Sequence, residues 1–371
     1  MSEKKALILF KQGEKFFESQ EWEKALNFFE AALKIKKDYR AAWFCRGLAL
    51  SYLKRYDESV KSFDKLLELN SNDFSARFNR GVALFEWEKY EAALTTFEEL
   101  IKLKPEHYEA WVQKGNVLII MDRNKEAISC YDRALEFNPF YYKAYANRGK
   151  AQLNLGKFSA ANQSYEKALE LEQNDPELWY NQGSTFLAGK QYEPALNCFD
   201  RALKIQPEHL ASLMNQGIVL ANLGQIKDCL KCYEKVVKIA PNNTHAWNNL
   251  GITLRRLGRI KEAIAAYDQA IKCDPNNYEA WDNRGYALVK LGKGQKALVS
   301  INRCLEIKPN HANGIYNKGL CYLLQGKLKL AIDCIAEAIK LEPSKYLPTA
   351  KIDPDLHKLR KNKRFQALIG S

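Results

Sequence analysis

Residues 247–275 read WNNLGITLRRLGRIKEAIAAYDQAIKCDP, and the order Trp247, Leu250, Gly251, Leu254, Ala263, Tyr267, Pro275 decides the fold. Gly251 is one member of a series spaced 34 residues apart: Gly13, Gly47, Gly81, Gly115, Gly149, Gly183, Gly217, Gly251, Gly285 and Gly319. The chain of 371 residues is therefore read as ten tandem units, starting near residue 6 and ending at 345. A basic segment, 346–371, leaves the frame.

The registers around the glycines specify helices. Four positions before the glycine stand Trp43, Trp111, Tyr145, Trp179, Trp247 and Trp281. Sixteen positions after it stand Phe29, Phe63, Phe97, Tyr131, Tyr165, Phe199, Tyr233 and Tyr267, and a third register holds Ala25, Ala93, Ala127, Ala161, Ala195, Ala263, Ala297 and Ala331. Apolar spacings of three and four put these side chains on one helical face, while glycine and alanine let two antiparallel helices approach closely. Pro105, Pro139, Pro207, Pro241, Pro275, Pro309 and Pro343 then stop the second helix of a unit. At the fifth junction the proline is Pro176, placed to start the next helix. The fold class expected is all-α, with helical hairpins stacked into one elongated body in which neighbours bury a shared core.

The W-x2-L-G-x2-Y, A-x3-F and P pattern resembles the tetratricopeptide repeat family, in long arrays of bacterial or cyanobacterial type. The resemblance covers all ten units. It implies a right-handed α-α superhelix with first helices lining a concave groove, and a C-terminal capping segment in which Leu356, Leu359, Phe365 and Leu368 cover the last hairpin. One departure recurs: the family's Leu before the glycine is Arg46, Arg80, Lys114, Arg148, Arg284 or Lys318 here. The first three units are the least regular.

Two residues before the glycine, at the family's inward position, stand Asn79, Asn147, Asn181, Asn215, Asn249, Asn283 and Asn317. Asparagine is a mediocre helix former, so mid-helix copies imply partners for the amides. A carboxamide both donates and accepts, which suits the backbone of an extended peptide and equally a bond between adjacent helices. Both readings stand at this stage. Neighbouring inward registers are apolar, with Phe44, Phe78, Tyr180, Met214 and Tyr316 before the glycine and Ile218, Ile252 and Tyr286 after it. Apolar surface left open at this scale marks a partner site, and an amphipathic segment fills it. A two-carboxylate clamp of the family's kind is disfavoured, since Asn116 is the sole Asn directly after a repeat glycine and Val112 precedes that glycine.

Charge is uneven. Residues 1–230 balance, so the whole net charge of +13 lies in 231–371. Arg255 and Arg256 are placed at the inward end of their helix and Lys290 one unit later, a basic patch that suits an acidic segment. Simple solvation accounts for it equally. Nucleic acid is the less expected partner, because no stacking platform, zinc pattern or recognition helix accompanies the charge.

No apolar run approaches the roughly 18 residues that span a bilayer, and no signal peptide is recognised, so a cytoplasmic location is expected. Nine cysteines, an odd and scattered set, fit small core thiols in a reducing compartment. Neither a catalytic motif nor a cofactor or metal signature occurs. The expected function is a non-enzymatic scaffold or adaptor that holds a client's peptide segment in the groove. The alternative is self-assembly through terminal repeats, with Leu7, Ile8, Leu9 and Phe10 pairing copies into a homo-oligomer.

Overall fold

A computed structural model describes residues 2–370 as helices joined by short turns, with no strand among the described residues. The chain falls into two compact units that divide at Gly189 and Lys190, inside the sixth hairpin. A single body was expected. In a linear array each hairpin touches only its neighbours, so the chain divides between any two layers.

The first unit holds α1 (Ser2–Glu18), α2 (Trp22–Ile35), α3 (Arg40–Tyr52), α4 (Tyr56–Leu69), α5 (Phe74–Glu86), α6 (Tyr90–Leu103), α7 (Tyr108–Ile120), α8 (Asn124–Phe137), α9 (Tyr142–Asn154), α10 (Phe158–Leu171) and α11 (Pro176–Ala188). The second holds α12 (Tyr192–Ile205), α13 (Leu210–Asn222), α14 (Ile226–Ile239), α15 (Thr244–Arg256), α16 (Ile260–Cys273), α17 (Tyr278–Lys290), α18 (Gly294–Ile307), α19 (Ala312–Leu324) and α20 (Leu328–Leu341). It ends with α21 (Pro343–Ile352), a 3-10 turn (Pro354–Leu359) and α22 (Lys363–Ile369). Odd-numbered helices up to α19 are the first helices of hairpins, and within each unit they pack on one another in sequence.

The hairpins close on the glycines. A Cβ built at Gly13, Gly81 or Gly115 would lie 2.6 Å from the ring of Phe29, Phe97 or Tyr131, so the aromatic ring takes the volume a side chain would need. These rings and the alanines beside them are fully buried. Each such ring contributes roughly 1.5–3 kcal/mol by leaving water.

Junctions between hairpins use the tryptophans. Each indole N–H reaches back six residues to a backbone carbonyl in the preceding turn: Trp43 to Lys37, Trp111 to Pro105, Trp179 to Gln173, Trp247 to Pro241 and Trp281 to Pro275, at 2.8–3.0 Å. The basic residue before the glycine also gains an account. Arg80 donates to Asp64 on the previous second helix and to Thr96 on its own, both at 2.6 Å. Arg46 does the same with Glu30 and Ser62, Arg148 with Asp132 and Ser164, and Arg284 with Asp268 and Ser300. A guanidinium offers several donors in one plane, so it joins three helices where leucine joins by packing alone.

Within hairpins one turn residue adopts positive φ, glycine at Gly156, Gly224, Gly258, Gly292 and Gly326 but Gln20, Lys54, Glu88, Asp122 and Lys190 in the other copies. Pro176 is the first residue of α11, with the Asp175 side chain capping it. Pro343 stands two residues past the end of α20, as Pro105 stands past α6, and it also opens α21, so helix resumes before residue 346. Tyr346, Ala350, Leu356, Leu359 and Phe365 of that segment are buried against Ile335, Ala338 and Leu320.

The glycine contact is directly testable. Gly115→Ala should lower stability by about 1–3 kcal/mol, the cost of overpacking a filled core. Chemical denaturation followed by circular dichroism measures it.

Candidate functional site

The face shared by first helices carries the candidate residues, and the structure treats them unequally. In the first unit Phe44 and Phe78 are half-buried, each ring edge-on to the core ring of its own hairpin, Phe63 at 5.9 Å and Phe97 at 6.0 Å. Phe78 also stacks on His107. Tyr180 and Asn181 are half-buried on α11. These aromatics spend one side on helix packing and keep only part of their area for a ligand.

The asparagines divide similarly. Asn79 donates to the Ser75 carbonyl of its own helix at 2.8 Å. Asn147 donates to the Asn116 side-chain oxygen at 2.9 Å, and that oxygen also accepts from the Tyr131 hydroxyl. Asn283 donates to Asn248 at 3.0 Å and Asn317 to Asp282 at 2.8 Å. Asn249 lies beside the Tyr233 hydroxyl, and Asn215 is half-buried on α13. Amide bonds between successive first helices therefore account for Asn147, Asn283 and Asn317. Each of these uses an N–H donor, and the amide oxygens of Asn147 and Asn283 accept from no other side chain among the described residues.

In the second unit Met214, Ile218 and Ile252 are half-buried, with Met214 and Ile252 packed against the core. Tyr286 lies between two cations, the Arg255 guanidinium at 5.1 Å and the Lys290 ammonium at 5.2 Å from its ring centre. Arg255 is half-buried and its Nε–H is buried without a partner. No carboxylate pairs with Arg255 among the described residues. Arg256 is exposed and donates only weakly to the Ala221 carbonyl, at 3.4 Å.

The chain's own terminal segment takes part of this face, which corrects three sequence expectations. Tyr316 is buried, donates its hydroxyl to Asp353 at 2.7 Å and stacks on Tyr346. Asn317 is 3% exposed, too little to meet a client. Lys290 is paired with Asp355. The tail thus lies across α17 and α19: Tyr316 and Asn317 are buried, and Lys290, still exposed, has its charge met by Asp355. The sequence signal was Asp353-Pro354-Asp355, an acidic pair inside an otherwise basic tail.

Between α15 and the tail a cleft of about 310 Å³ remains, with Arg255, Asn283, Tyr286, Asn313 and Lys345 on its walls and the tail's Asp353 at its edge. It presents a guanidinium with no carboxylate partner, an ammonium, two amides and a phenol ring, while its one carboxylate, Asp353, already accepts from Tyr316. Such a lining suits a carboxylate carried on an extended chain.

The thiols are less suited to chemistry. All nine cysteines are free, and burial pushes Cys130 up to about 11 and Cys232 up to about 12. At neutral pH these groups stay as unreactive thiols. Cys229 and Cys232 bond to Thr253 and Gln216 within the core. No helix among the described residues is long and apolar enough to cross a membrane.

Helical hairpins repeated around a stacked core, with a polar and apolar face along the first helices, define an α-solenoid. Family models for the tetratricopeptide repeat match residues 40–73, 74–107, 115–156, 266–298 and 312–345, and that of the Cilia and flagella-associated protein 70 middle TPR-like domain matches 154–273. The chain is a tetratricopeptide repeat protein. An uncharacterized protein of Methanocaldococcus jannaschii is 41% identical over 56 residues, 15% of this chain and 65% of that relative, just under two thirds of its length. A tetratricopeptide repeat protein from Parabacteroides merdae superposes with a TM-score of 0.54 at 20% identity, covering 71% of this chain and 99% of that one. A chain of the APC/C hetero-tetramer Cut9-Hcn1 superposes with a TM-score of 0.50 at 15% identity, over 98% of this chain and 75% of that one. Both likenesses are to the fold.

Tail docking rests on few polar contacts. Tyr316→Phe, which removes the hydroxyl bonded to Asp353, should weaken docking by about 1–2 kcal/mol. Amide exchange in residues 353–359 is then expected to run roughly 5–30-fold faster, while α1 to α11 exchange as before.

Proposed function

We propose that this protein is a non-enzymatic scaffold or adaptor that holds an extended segment of a client protein on the first-helix face. The observation that carries the reading is the cleft beside Arg255, where a half-buried guanidinium pairs with no carboxylate and the nearby acid, Asp353, is held by Tyr316. Leaving such a group unpaired costs free energy in the unliganded protein, and a ligand carboxylate recovers it. In the second unit the Asn283 amide oxygen is ready for a peptide N–H and half-buried Met214, Ile218, Ile252 and Tyr286 supply apolar contact; the first unit offers Asn147, Phe44 and Phe78 in the same way on its own face. Asn79, Asn181, Asn215 and Asn249 extend the same register. Binding is preorganised and involves no reaction. The client works in the cytoplasm under this reading.

Self-association has a narrower basis. Leu7 and Ile8 on α1 are 43% and 53% exposed, whereas Phe10 is buried against Phe29 and Tyr39, and Leu9 packs on the same core. Two side chains cover much less than the roughly 800 Å² per partner of a stable interface. Nucleic acid is the less favoured partner, because no stacking platform, zinc pattern or recognition helix accompanies the basic residues.

Fluorescence anisotropy with a library of extended acidic peptides tests the proposal. Binding should weaken with salt, and Arg255→Ala should reduce affinity by about 10-fold or more, the worth of a charge-assisted bond. Equal affinity in the variant, or a library without any ligand, overturns the reading. Light scattering across concentrations should show a monomer.

A further inference from the structure

The interior of the last hairpins departs from the repeat at four places that meet in space. Asp282 stands in a register filled by Phe44, Phe78, Val112, Ala146, Tyr180 and Met214, where Asn248 is the other polar member and Asp282 the one charged residue. Cys304 stands where other second helices carry Ala32, Ala134, Ala168, Ala202, Ala270 or Ala338. Gly314 stands where first helices carry Ala42, Ala76, Ala110, Ala144, Ala246 or Ala280. His311 shares its position with His107 and His209, but its ring does something different. In both others Nδ1 accepts a backbone N–H and caps the following helix, at Ala110 and Ser212. His311 makes no such cap and turns Nε2 to within 3.2 Å of Asp282 instead.

We propose that Asp282, Cys304 and His311 form a binding site for one divalent cation of the zinc class. A carboxylate oxygen, the thiol sulfur and an imidazole nitrogen lie within 4.8 Å of one another, drawn from α17, α18 and the turn before α19. Tetrahedral Zn²⁺ with bonds of about 2.0–2.3 Å separates its ligand atoms by roughly 3.3–3.8 Å, so small side-chain movements bring the three protein ligands into place, with a water as the fourth. The mixed oxygen, sulfur and nitrogen set excludes Mg²⁺ and Ca²⁺, which take oxygen ligands.

Three further features support the assignment. Asp282 is 3% exposed and no lysine or arginine pairs with it among the described residues, so His311 is the one basic side chain in contact with this buried carboxylate. Asn313 and Asn317 donate to its two oxygens at 2.5 and 2.8 Å, which holds the carboxylate as outer-shell donors hold metal-ligating acids. At Gly314 a Cβ would sit 3.2 Å from the His311 ring and 3.3 Å from the Cys304 sulfur, so the missing methyl clears the space between two ligands. On binding, the Cys304 thiol releases its proton to solvent and His311 binds through a neutral ring nitrogen. The ion would tie three helices together and, through the Asn313 to Tyr346 bond, the tail as well.

The full-length chain, stripped with chelator and dialysed, is titrated with Co²⁺ and then with Zn²⁺. One Co²⁺ per chain is expected, with the ligand-field bands of a tetrahedral ion and a thiolate-to-cobalt charge-transfer band that Zn²⁺ abolishes. Zn²⁺ should also raise the melting temperature. The variants use residues that the protein itself carries in the same registers, so folding is preserved: Cys304→Ala, His311→Asn as in Asn277, and Asp282→Asn as in Asn248. Circular dichroism verifies that. Cys304→Ala should lose the charge-transfer band, and each variant should bind at least about 100-fold more weakly. Absence of one-to-one binding, a cobalt spectrum without the thiolate band, or unchanged affinity in Cys304→Ala overturns the proposal, the last two by assigning the ion to other groups.

Discussion

The whole architecture depends on a glycine with no side chain facing a buried ring sixteen residues later. At Gly13, Gly81 and Gly115 the ring occupies the volume of the missing Cβ, which lets the two helices of a hairpin pack at close range. Once that distance is fixed, the alanines fill the remaining space, the indole N–H finds the carbonyl of the preceding turn, and arginine spans three helices. The same geometry permits substitution where volume allows, as Ile301 shows by standing against Gly285 in place of the aromatic. A periodic fold of this kind has no single centre. Its stability sums over hairpins and the layers between them.

Periodicity also makes function readable, because every position has up to nine internal controls. Positions that follow the repeat serve packing, and a departure asks for a separate cause. Arg255 is charged where Phe85, Ile119, Leu153, Ala221 and Leu323 are not, and its guanidinium faces a cleft whose one carboxylate, Asp353, is bonded to Tyr316 instead. Asp282, Cys304, His311 and Gly314 depart together in the last hairpins. By contrast the repeated asparagines, the most conspicuous polar feature of the chain, are partly consumed by bonds between first helices.

The terminal segment shows what this face can hold. Its acidic Asp353 and Asp355 engage the Tyr316 hydroxyl and Lys290, while Tyr346 stacks on Tyr316. A carboxylate-bearing stretch on polar and aromatic first-helix side chains is the chemistry proposed for a client next to Arg255. The tail also leaves Tyr316 and Asn317 buried and meets the charge of Lys290.

The fold was legible from the sequence alone, since the period, the helical spacings and the matched glycine and aromatic registers follow from local geometry repeated ten times. The helical character of the tail was legible too, from Leu356, Leu359 and Phe365. Which inward side chains remain open was not. Register places Asn147 and Asn317 identically, yet one keeps a free amide oxygen and the other is sealed, because only the folded chain brings the tail over α19. Nor could spacing reveal the cluster of Asp282, Cys304 and His311. Its members come from three helices, and nothing local in the sequence sets the distance between side chains that meet only through packing.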